Sequence, residues 1–167
     1  MEQNQSNAMI KLINPFANLE EYHCFGCSPA HPAGLRMEFY DDGEELVSTW
    51  EPSPGFEGFH DILHGGIQAT MMDEIASWVV FAKFNTSGVT YQLKTRYRRP
   101  VHISRGVVTL RARPGQQQRN ILSIAVHLYD GEGVLCSESL VDYFLLPRDR
   151  AIREMHYPGR EAFYPQI

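Results

Sequence analysis

The feature that most constrains the fold is one long helical pattern, at about residues 64–84, set among segments that alternate as strands do. Within residues 67–82 the only charged side chains are those of Asp73 and Glu74. A helix with so few charges is too apolar all round to keep one side in water. We therefore expect this helix to be covered on both sides, at the centre of the fold.

Strand patterns lie on both sides of this helix in the sequence. Alternating apolar and polar residues predict a first hairpin from residues 35–40 and 46–50, joined across an Asp-Gly turn. After the helix, strands are predicted near residues 89–101, 107–113, 121–129 and 134–146. The order favours an α+β fold in which an antiparallel sheet wraps around one long central helix.

The length and composition are those of one globular domain. We predict a peripheral N-terminal arm at residues 1–21, a domain at residues 22–147 and a peripheral charged tail at residues 148–167. The net charge of -5 argues against a general nucleic-acid-binding protein. No apolar run approaches the roughly 20 residues of a membrane helix, so membrane insertion is not expected. Three cysteines are too few, and odd in number, for a secreted disulfide framework, which favours a cytoplasmic protein.

The helix carries a carboxylate opposite its bulky face. One broad arc should face the sheet, and its members are Met71, Met72, Ile75, Trp78 and Val79. Asp73 lies on the other arc, among small residues that let a ligand or another backbone come close. Ionised carboxylates are seldom buried without a partner, and desolvation is one way to tune a catalytic base or nucleophile. Asp73 is a candidate catalytic residue; the alternative is a purely structural pairing with an arginine or a hydroxyl.

The sequence His64-Gly65-Gly66 opens the helix. Glycines there let a substrate approach backbone N–H groups at the helix start, whose partial positive charge stabilises a developing oxyanion. His64 is a supporting candidate that could act as a base or a metal ligand, or form a structural hydrogen bond. Gly66 and Asp73 lie roughly 10 Å apart along a helix, at about 1.5 Å per residue. One carbonyl cannot meet both, so we predict a homodimeric site in which the carboxylate comes from a second chain.

Residues 63–74, Leu-His-Gly-Gly-Ile-Gln-Ala-Thr-Met-Met-Asp-Glu, resemble the helix signature of hotdog-fold acyl-CoA thioesterases of the phenylacetate-degradation type. Upstream, Cys-Phe-Gly-Cys at 24–27 and Pro-Ala-Gly-Leu at 32–35 are similar to the opening of the branch typified by thioesterase superfamily member 4. The resemblance covers about residues 22–147. It implies a hotdog fold, an acyl-CoA substrate with no separate cofactor, and homodimers that often pair further into homotetramers.

The resemblance also implies catalytic roles. Asp73 would activate water or attack the thioester, and the backbone N–H of Gly65 or Gly66 would polarise its carbonyl. Thr90 occupies the position of a hydroxyl residue that positions water, although it could equally be an ordinary strand threonine. Alternation places Thr90 on the polar face of its strand, with Gln92.

The sequence departs from the family pattern at one position. Some relatives carry an asparagine or histidine about six residues before the His-Gly-Gly histidine, where this chain has Gly58. His60 could stand in from a neighbouring position, or be merely a solvated loop residue.

Arginines on the strand after the helix could meet the phosphates of coenzyme A in this otherwise acidic protein. The candidates are Arg96, Arg98 and Arg99, with Arg111, Arg113 and Arg119 on later segments. For any one of them, a solvated strand face or a structural ion pair is the alternative.

The pair Cys24 and Cys27 has the spacing of half a zinc site, with His23 and His31 nearby. A structural zinc site usually needs four ligands, and a second cysteine pair is missing, so no metal is expected. Cys136 falls on an alternating strand and is predicted to be a small core residue, not a nucleophile.

These features favour hydrolysis of an acyl-CoA to a free acid and coenzyme A. One alternative is a non-catalytic acyl-CoA-binding protein that keeps the fold and has lost hydrolysis. A second is a dehydratase acting on a 3-hydroxyacyl thioester, but hotdog dehydratases usually place their histidine in a phenylalanine- and proline-rich segment, unlike the glycine-flanked His64.

Overall fold

The computed structural model describes residues 8–167 and shows one long helix wrapped by an antiparallel sheet. The strands are β1 (Ile10–Lys11), β2 (Tyr40–Asp41), β3 (Leu46–Trp50), β4 (Glu57–Phe59), β5 (Ile62–Leu63), β6 (Gly88–Tyr97), β7 (Val108–Gln118), β8 (Ile121–Tyr129) and β9 (Leu135–Leu145). The helices are α1 (Gly65–Lys83) and α2 (Arg148–Met155). Seven strands form the main sheet in the order β1-β2-β3-β7-β8-β9-β6, and β4 pairs with β5. The predicted α+β hotdog architecture is confirmed.

The apolar arc of α1 packs against the concave face of this sheet. All five predicted sheet-facing side chains are at most 2% exposed: Met71, Met72, Ile75, Trp78 and Val79. The sheet supplies the other half of this core with alternate residues of β7, β8 and β9, such as Leu110, Val126 and Val141. Each fully buried side chain of this size contributes roughly 1.5–3 kcal/mol, so this interface is the main source of stability.

A bulge in β6 changes which way its first residues point. Thr90 lies opposite Tyr143 on β9, whereas Leu93 lies opposite Val141, so one extra residue, Tyr91, is inserted between them. Directly opposed residues share a face of the sheet, and Tyr143 and Val141 both point inward. The prediction that Thr90 shares the outer polar face with Gln92 is therefore wrong, because the bulge turns it toward α1.

The first predicted hairpin is shorter in the structure. Leu35, Met37 and Phe39 are buried as their alternation predicted, but only Tyr40–Asp41 pairs with β3. The preceding residues instead hydrogen-bond to the segment around Cys24–Cys27: the Leu35 N–H donates to the Phe25 carbonyl at 2.8 Å, and the Met37 N–H donates to the Gly26 carbonyl at 2.9 Å. The alternation predicted that this segment is extended, but it did not predict which part of the chain the segment hydrogen-bonds to.

The C-terminal tail was predicted to be peripheral, and this was wrong. Phe163 is fully buried, with its ring centroid 5.3 Å from that of Phe81 and 5.4 Å from that of Trp78 on α1. The Tyr157 hydroxyl donates to the Phe81 carbonyl at 2.7 Å. The tail thus covers the end of α1 that the sheet leaves open. The domain bounds at residues 22 and 147 stay a prediction.

The N-terminal arm is described from residue 8 onward, so residues 1–7 of the predicted arm lie outside the described residues. Ile10 and Lys11 pair with β2, and Phe16 packs against Phe81 and Phe163. Among the described helices, none combines the length and the apolar character needed to cross a membrane.

Replacing Phe163 by alanine tests the structural role of the tail. Phe163→Ala should lower the free energy of unfolding by about 3–5 kcal/mol, because it leaves a cavity between Phe81 and Trp78. Urea unfolding measures this change. The control Ile152→Ala, on the half-exposed surface of α2, should change stability by no more than about 0.5 kcal/mol. Equal effects of the two substitutions would contradict this role of the tail.

Candidate active site

The start of α1 leaves the backbone N–H of Gly65 available. His64 caps the helix, and its Nδ1 accepts a hydrogen bond from the Gly66 N–H at 2.8 Å. Within the described part of the chain, the Gly65 N–H has no acceptor. Of the two glycines predicted as oxyanion donors, Gly65 is therefore the one whose N–H can meet a ligand, and His64 acts here as a helix cap.

A groove of about 790 Å³ opens at this helix start. It is lined by Gly58, Phe59, Ile62, Leu63, His64, Gly65, Gly66, Gln68, Tyr97, Arg98, Arg99 and Pro100. The Tyr97 hydroxyl donates to the Gly65 carbonyl at 2.6 Å, which ties the end of β6 to the helix start. The Phe59 side chain is 77% exposed at the mouth of the groove. A largely apolar groove that begins at a backbone N–H without an acceptor is suited to bind a small-molecule ligand.

Asp73 lies in a hydrogen-bonded setting farther along α1. Its Oδ1 accepts from the Thr90 hydroxyl at 2.8 Å and lies 3.1 Å from the Tyr143 hydroxyl. Burial, followed by the charge of Asp73, raises the pKa of Tyr143, so this hydroxyl stays protonated as a donor. No hydrogen bond to Asp73 Oδ2 is formed within residues 8–167. One carboxylate oxygen is thus fixed by two hydroxyls and the other can meet a water or a carbonyl carbon.

Tyr143 is a site residue that the sequence reasoning missed. It sits on β9 opposite Thr90, so both hydroxyls reach the same carboxylate from adjacent strands. Its strand was predicted, and a tyrosine on an inward position needs a polar partner for its hydroxyl. That signal could have linked Tyr143 to Asp73, although it could not have located the bulge that aligns Thr90 with it.

Within one chain the two parts of the candidate site stay apart. Asp73 does not line the groove at Gly65, and the two residues are about two helical turns apart. Thr90, near the start of β6, contacts Asp73, whereas Tyr97, at the end of β6, contacts Gly65. The two half-sites therefore lie at opposite ends of the same strand.

The strand β6 forms an edge of the sheet and is unusually apolar for an edge. Val89, Tyr91, Leu93 and Tyr97 are 37–66% exposed on it, and Leu140 of the adjacent strand is 47% exposed. Strand β6 has ten residues and one neighbouring strand, β9, so its other side is unpaired within the described residues. Soluble proteins usually protect so long and apolar an edge by pairing or covering it.

The three candidate arginines do not form one cluster. Arg98 and Arg99 line the groove, where Arg98 pairs with Glu138 at 2.7 Å. Arg96 is on the outer face of the sheet, with Lys94 and His127 around a separate shallow hollow. Arg98 and Arg99 remain placed for a ligand in the groove, and Arg96 is not.

Gly58 lies directly against the helix cap. A Cβ built on Gly58 would be 3.2 Å from the Cα of His64, so a side chain at this position would reach the helix start. His60 is exposed in the following turn and forms no side-chain hydrogen bond within the described residues. In this chain the helper position carries no side chain, and its backbone packs closely against His64.

Comparisons with known proteins agree with this fold. Residues 60–137, just under half of the chain, match the model of the Thioesterase superfamily. A protein of Schizosaccharomyces pombe, described as uncharacterized, is 39% identical over 59 residues, which are 35% of this chain and 34% of that protein. The match spans about a third of the length of this curated relative.

Solved structures share the fold. A hypothetical thioesterase of Streptococcus pneumoniae, solved with coenzyme A, is 22% identical, with 63% of this chain and 83% of that chain covered and a TM-score of 0.58. A Streptococcus mutans protein bound to acetyl CoA is 16% identical, with 78% of this chain and 98% of that chain covered and a TM-score of 0.63. The S. pneumoniae protein was also solved as variants in which an aspartate or a threonine is replaced by alanine.

The chain is thus a hotdog-fold protein whose central stretch carries the Thioesterase superfamily match. More specifically, its fold is similar to those of the coenzyme A-bound S. pneumoniae thioesterase and the acetyl CoA-bound S. mutans protein. Assignment to the phenylacetate-degradation type stays a prediction.

The capping role of His64 can be tested by stability. His64→Ala should lower the free energy of unfolding by about 1 kcal/mol, because the Gly66 N–H loses its acceptor. His64→Asn should retain most of the wild-type stability, since asparagine is a good N-cap residue. Urea unfolding compares the three proteins. Equal stability of the alanine and asparagine variants would show that the cap contributes nothing.

Proposed function

We propose that this protein hydrolyses acyl-CoA thioesters, with Asp73 as general base or nucleophile in a site shared between two subunits. The observation that carries the proposal is the state of the Asp73 carboxylate. Two hydroxyls fix one of its oxygens, and the other oxygen is unpaired among the described residues. The superfamily match and the coenzyme A-bound structural relatives support a thioester substrate.

Two chemical routes use the same groups. In the first, Asp73 takes a proton from water, and the resulting hydroxide attacks the thioester carbonyl carbon. In the second, Asp73 itself attacks that carbon and forms an acyl anhydride, which water then cleaves. In both, the C–S bond breaks, coenzyme A leaves as its thiol after gaining a proton, and the acyl group leaves as a carboxylic acid.

The Gly65 N–H would hold the oxygen of the tetrahedral intermediate. It lies at the first position of α1, where the partial positive charge of the helix start favours an anion. Thr90 and Tyr143 would keep the Asp73 carboxylate in one orientation, and Thr90 could also contact the attacking water. Tyr97, bonded to the Gly65 carbonyl, would hold in place the Gly65–Gly66 peptide that follows the donor N–H.

Pairing of β6 with its copy in a second chain would assemble the site. An antiparallel pair related by a two-fold axis places the start of one β6 beside the end of the other. Asp73 with Thr90 of one chain would then lie next to Gly65 with Tyr97 of the other. The exposed apolar edge of β6 supports this arrangement, because pairing would cover Val89 and Leu93. A homodimer is the minimum assembly, and a dimer of dimers is compatible with it.

The charges around the groove support a position for coenzyme A. Arg99 forms no salt bridge within the described residues, and Arg98 has a single carboxylate partner, Glu138. Both line the groove that begins at Gly65. We assign the phosphate contacts to this pair, because phosphates bind bidentate guanidinium groups well. Arg96, on the outer face of the sheet, has no part in this assignment.

The catalytic role of the carboxylate is tested by Asp73→Asn, which keeps the size and removes the base. Turnover of acyl-CoA should fall by at least about 100-fold, because proton transfer or nucleophilic attack is lost. Free-thiol release across short, long and aromatic acyl-CoAs measures it and reports acyl preference. Asp149→Asn, on the exposed surface of α2, is the control and should be fully active. Unchanged turnover in Asp73→Asn would refute the assignment.

The oxyanion role of Gly65 is tested by comparing two variants that both add a Cβ. Gly65→Pro removes the N–H, and proline suits the first helical position, with His64 already extended at φ −57° and ψ 131°. Gly65→Ala keeps the N–H, and its Cβ would meet Tyr97 Cζ at an ordinary 3.4 Å. The proline variant should lose about 100- to 1000-fold in kcat, far more than the alanine variant. Equal losses would show that the N–H has no catalytic role.

The same assays separate the competing functions. A non-catalytic acyl-CoA-binding protein would bind intact acyl-CoA without releasing thiol, and Asp73→Asn would leave its behaviour unchanged. A dehydratase would convert a 3-hydroxyacyl thioester to an enoyl thioester, which absorbance detects. Either result would replace hydrolysis as the function of this site.

A further inference from the structure

A second cluster of reactive side chains lies beside α1, where the segment at Cys24–Cys27 meets the helix. Cys24 Sγ is 3.4 Å from Cys27 Sγ and 3.5 Å from Glu74 Oε1. The three potential ligand atoms all lie within 4.8 Å of one another. Glu74 directly follows Asp73 in the helix but belongs to a different face, and the proposed hydrolysis does not use it. The fold therefore brings a carboxylate to the two cysteines from fifty positions away.

The loop between the cysteines is shaped to cover this carboxylate. A Cβ built on Gly26 would lie 2.5 Å from Glu74 Cδ and 2.5 Å from Glu74 Oε2, closer than real Cβ atoms come. A larger residue at this position would require the Glu74 side chain to move. The Gly26 carbonyl also accepts from the Met37 N–H at 2.9 Å, so the loop is held in place by its neighbours. The Gly26 backbone thus packs against the Glu74 carboxyl group, which stays partly exposed.

The cluster has three acidic groups and no cation. The Cys27 thiol donates to the Cys24 sulfur, and the Cys24 thiol donates to Glu74 Oε1. No lysine, arginine or histidine forms a salt bridge with Glu74 in the described part of the chain. Two thiols and a carboxyl group that lie together without a cationic side chain are the ligand types that a divalent transition metal binds.

We infer that Cys24, Cys27 and Glu74 form a binding site for a zinc-like divalent transition metal, with its fourth position open to solvent. Zn²⁺ prefers thiolate sulfur with imidazole or carboxylate and binds in a tetrahedron. With Zn–S near 2.3 Å and Zn–O near 2.0 Å, a tetrahedron separates two sulfurs by about 3.8 Å and a sulfur from an oxygen by about 3.5 Å. The distances in this cluster, 3.4 Å and 3.5 Å, are close to those values.

Neighbouring groups would support the bound ion. The Tyr22 hydroxyl lies 2.9 Å from Cys27 Sγ and would donate to the thiolate, as groups around metal ligands usually do. The Asn14 side chain donates to the Cys27 carbonyl at 3.1 Å and fixes the ligand's backbone. From the sequence no metal was expected, because a second cysteine pair is missing. The structure supplies the third ligand from α1, which spacing along the sequence cannot show.

The test is metal binding by the reduced, full-length protein after treatment with a chelator. Titration with Co²⁺ should give one ion per chain and thiolate-to-cobalt charge-transfer absorption, and added Zn²⁺ should displace the cobalt. Zn²⁺ should also raise the thermal midpoint, because it binds the folded chain. Glu74→Gln should bind Zn²⁺ at least about tenfold more weakly in competition with a chromophoric chelator. Cys24→Ser and Cys27→Ser should each lose more affinity than Glu74→Gln.

The third cysteine provides the matched control. Cys136 is fully buried on β9, away from the cluster, so Cys136→Ser should keep one metal ion per chain with the same absorption. Circular dichroism checks that each variant is folded, and the wild-type titration stands by itself if a variant is not. The inference is overturned if the wild type shows no thiolate-to-cobalt absorption, if Cys24→Ser and Cys27→Ser bind like the wild type, or if the cysteines form a disulfide with zinc present and no metal retained.

Discussion

Helix α1 is apolar on most sides, and the sheet, the C-terminal tail and the loop at Cys24–Cys27 pack against it. The sheet covers the face of Met71, Ile75 and Trp78, and the C-terminal tail covers the end of the helix with Phe163. The loop at Cys24–Cys27 covers the side that carries Glu74. Because burial of these side chains provides most of the stabilisation, the helix cannot shift without loss of the core. Polar groups on α1 are therefore held in fixed positions.

The fixed position of α1 determines which polar groups are available at the two ends of the candidate site. At the helix start, the cap by His64 uses one N–H and leaves that of Gly65 for a ligand. Two turns later, Asp73 emerges beside an edge strand and is oriented by hydroxyls from two strands. The same edge strand contacts both ends, through Thr90 and Tyr97. A second copy of this edge is the simplest structure that could join the two ends into one site.

The sequence predicted those parts of the structure that depend on local periodicity. The helix, its buried arc and the four long strands follow from repeating patterns of apolar residues, and the structure has them within a few residues of the predicted bounds. Asp73 stood out because a carboxylate breaks such a pattern. The inward position of Thr90 could not be predicted, because a single inserted residue in β6 reverses the alternation without a clear mark in the sequence.

Contacts between residues that are far apart in the sequence could not be predicted either. Tyr143 reaches Asp73 from seventy positions away, and Glu74 reaches Cys24 from fifty. The charged tail was misjudged because its few large apolar residues, Tyr157 and Phe163, are separated by polar ones and show no regular period. Such contacts depend on the packed fold, which determines what lies opposite each side chain.

Mixing two inactive variants tests the shared site most directly. Asp73→Asn and Gly65→Pro are coexpressed, the mixed dimers form at random, and free-thiol release is compared with that of each variant alone. If one site takes Asp73 from one chain and Gly65 from the other, each mixed dimer has one intact site, and about a quarter of the wild-type activity returns. If both residues act within one chain, no dimer has an intact site. Activity that stays at the level of the separate variants would contradict the account.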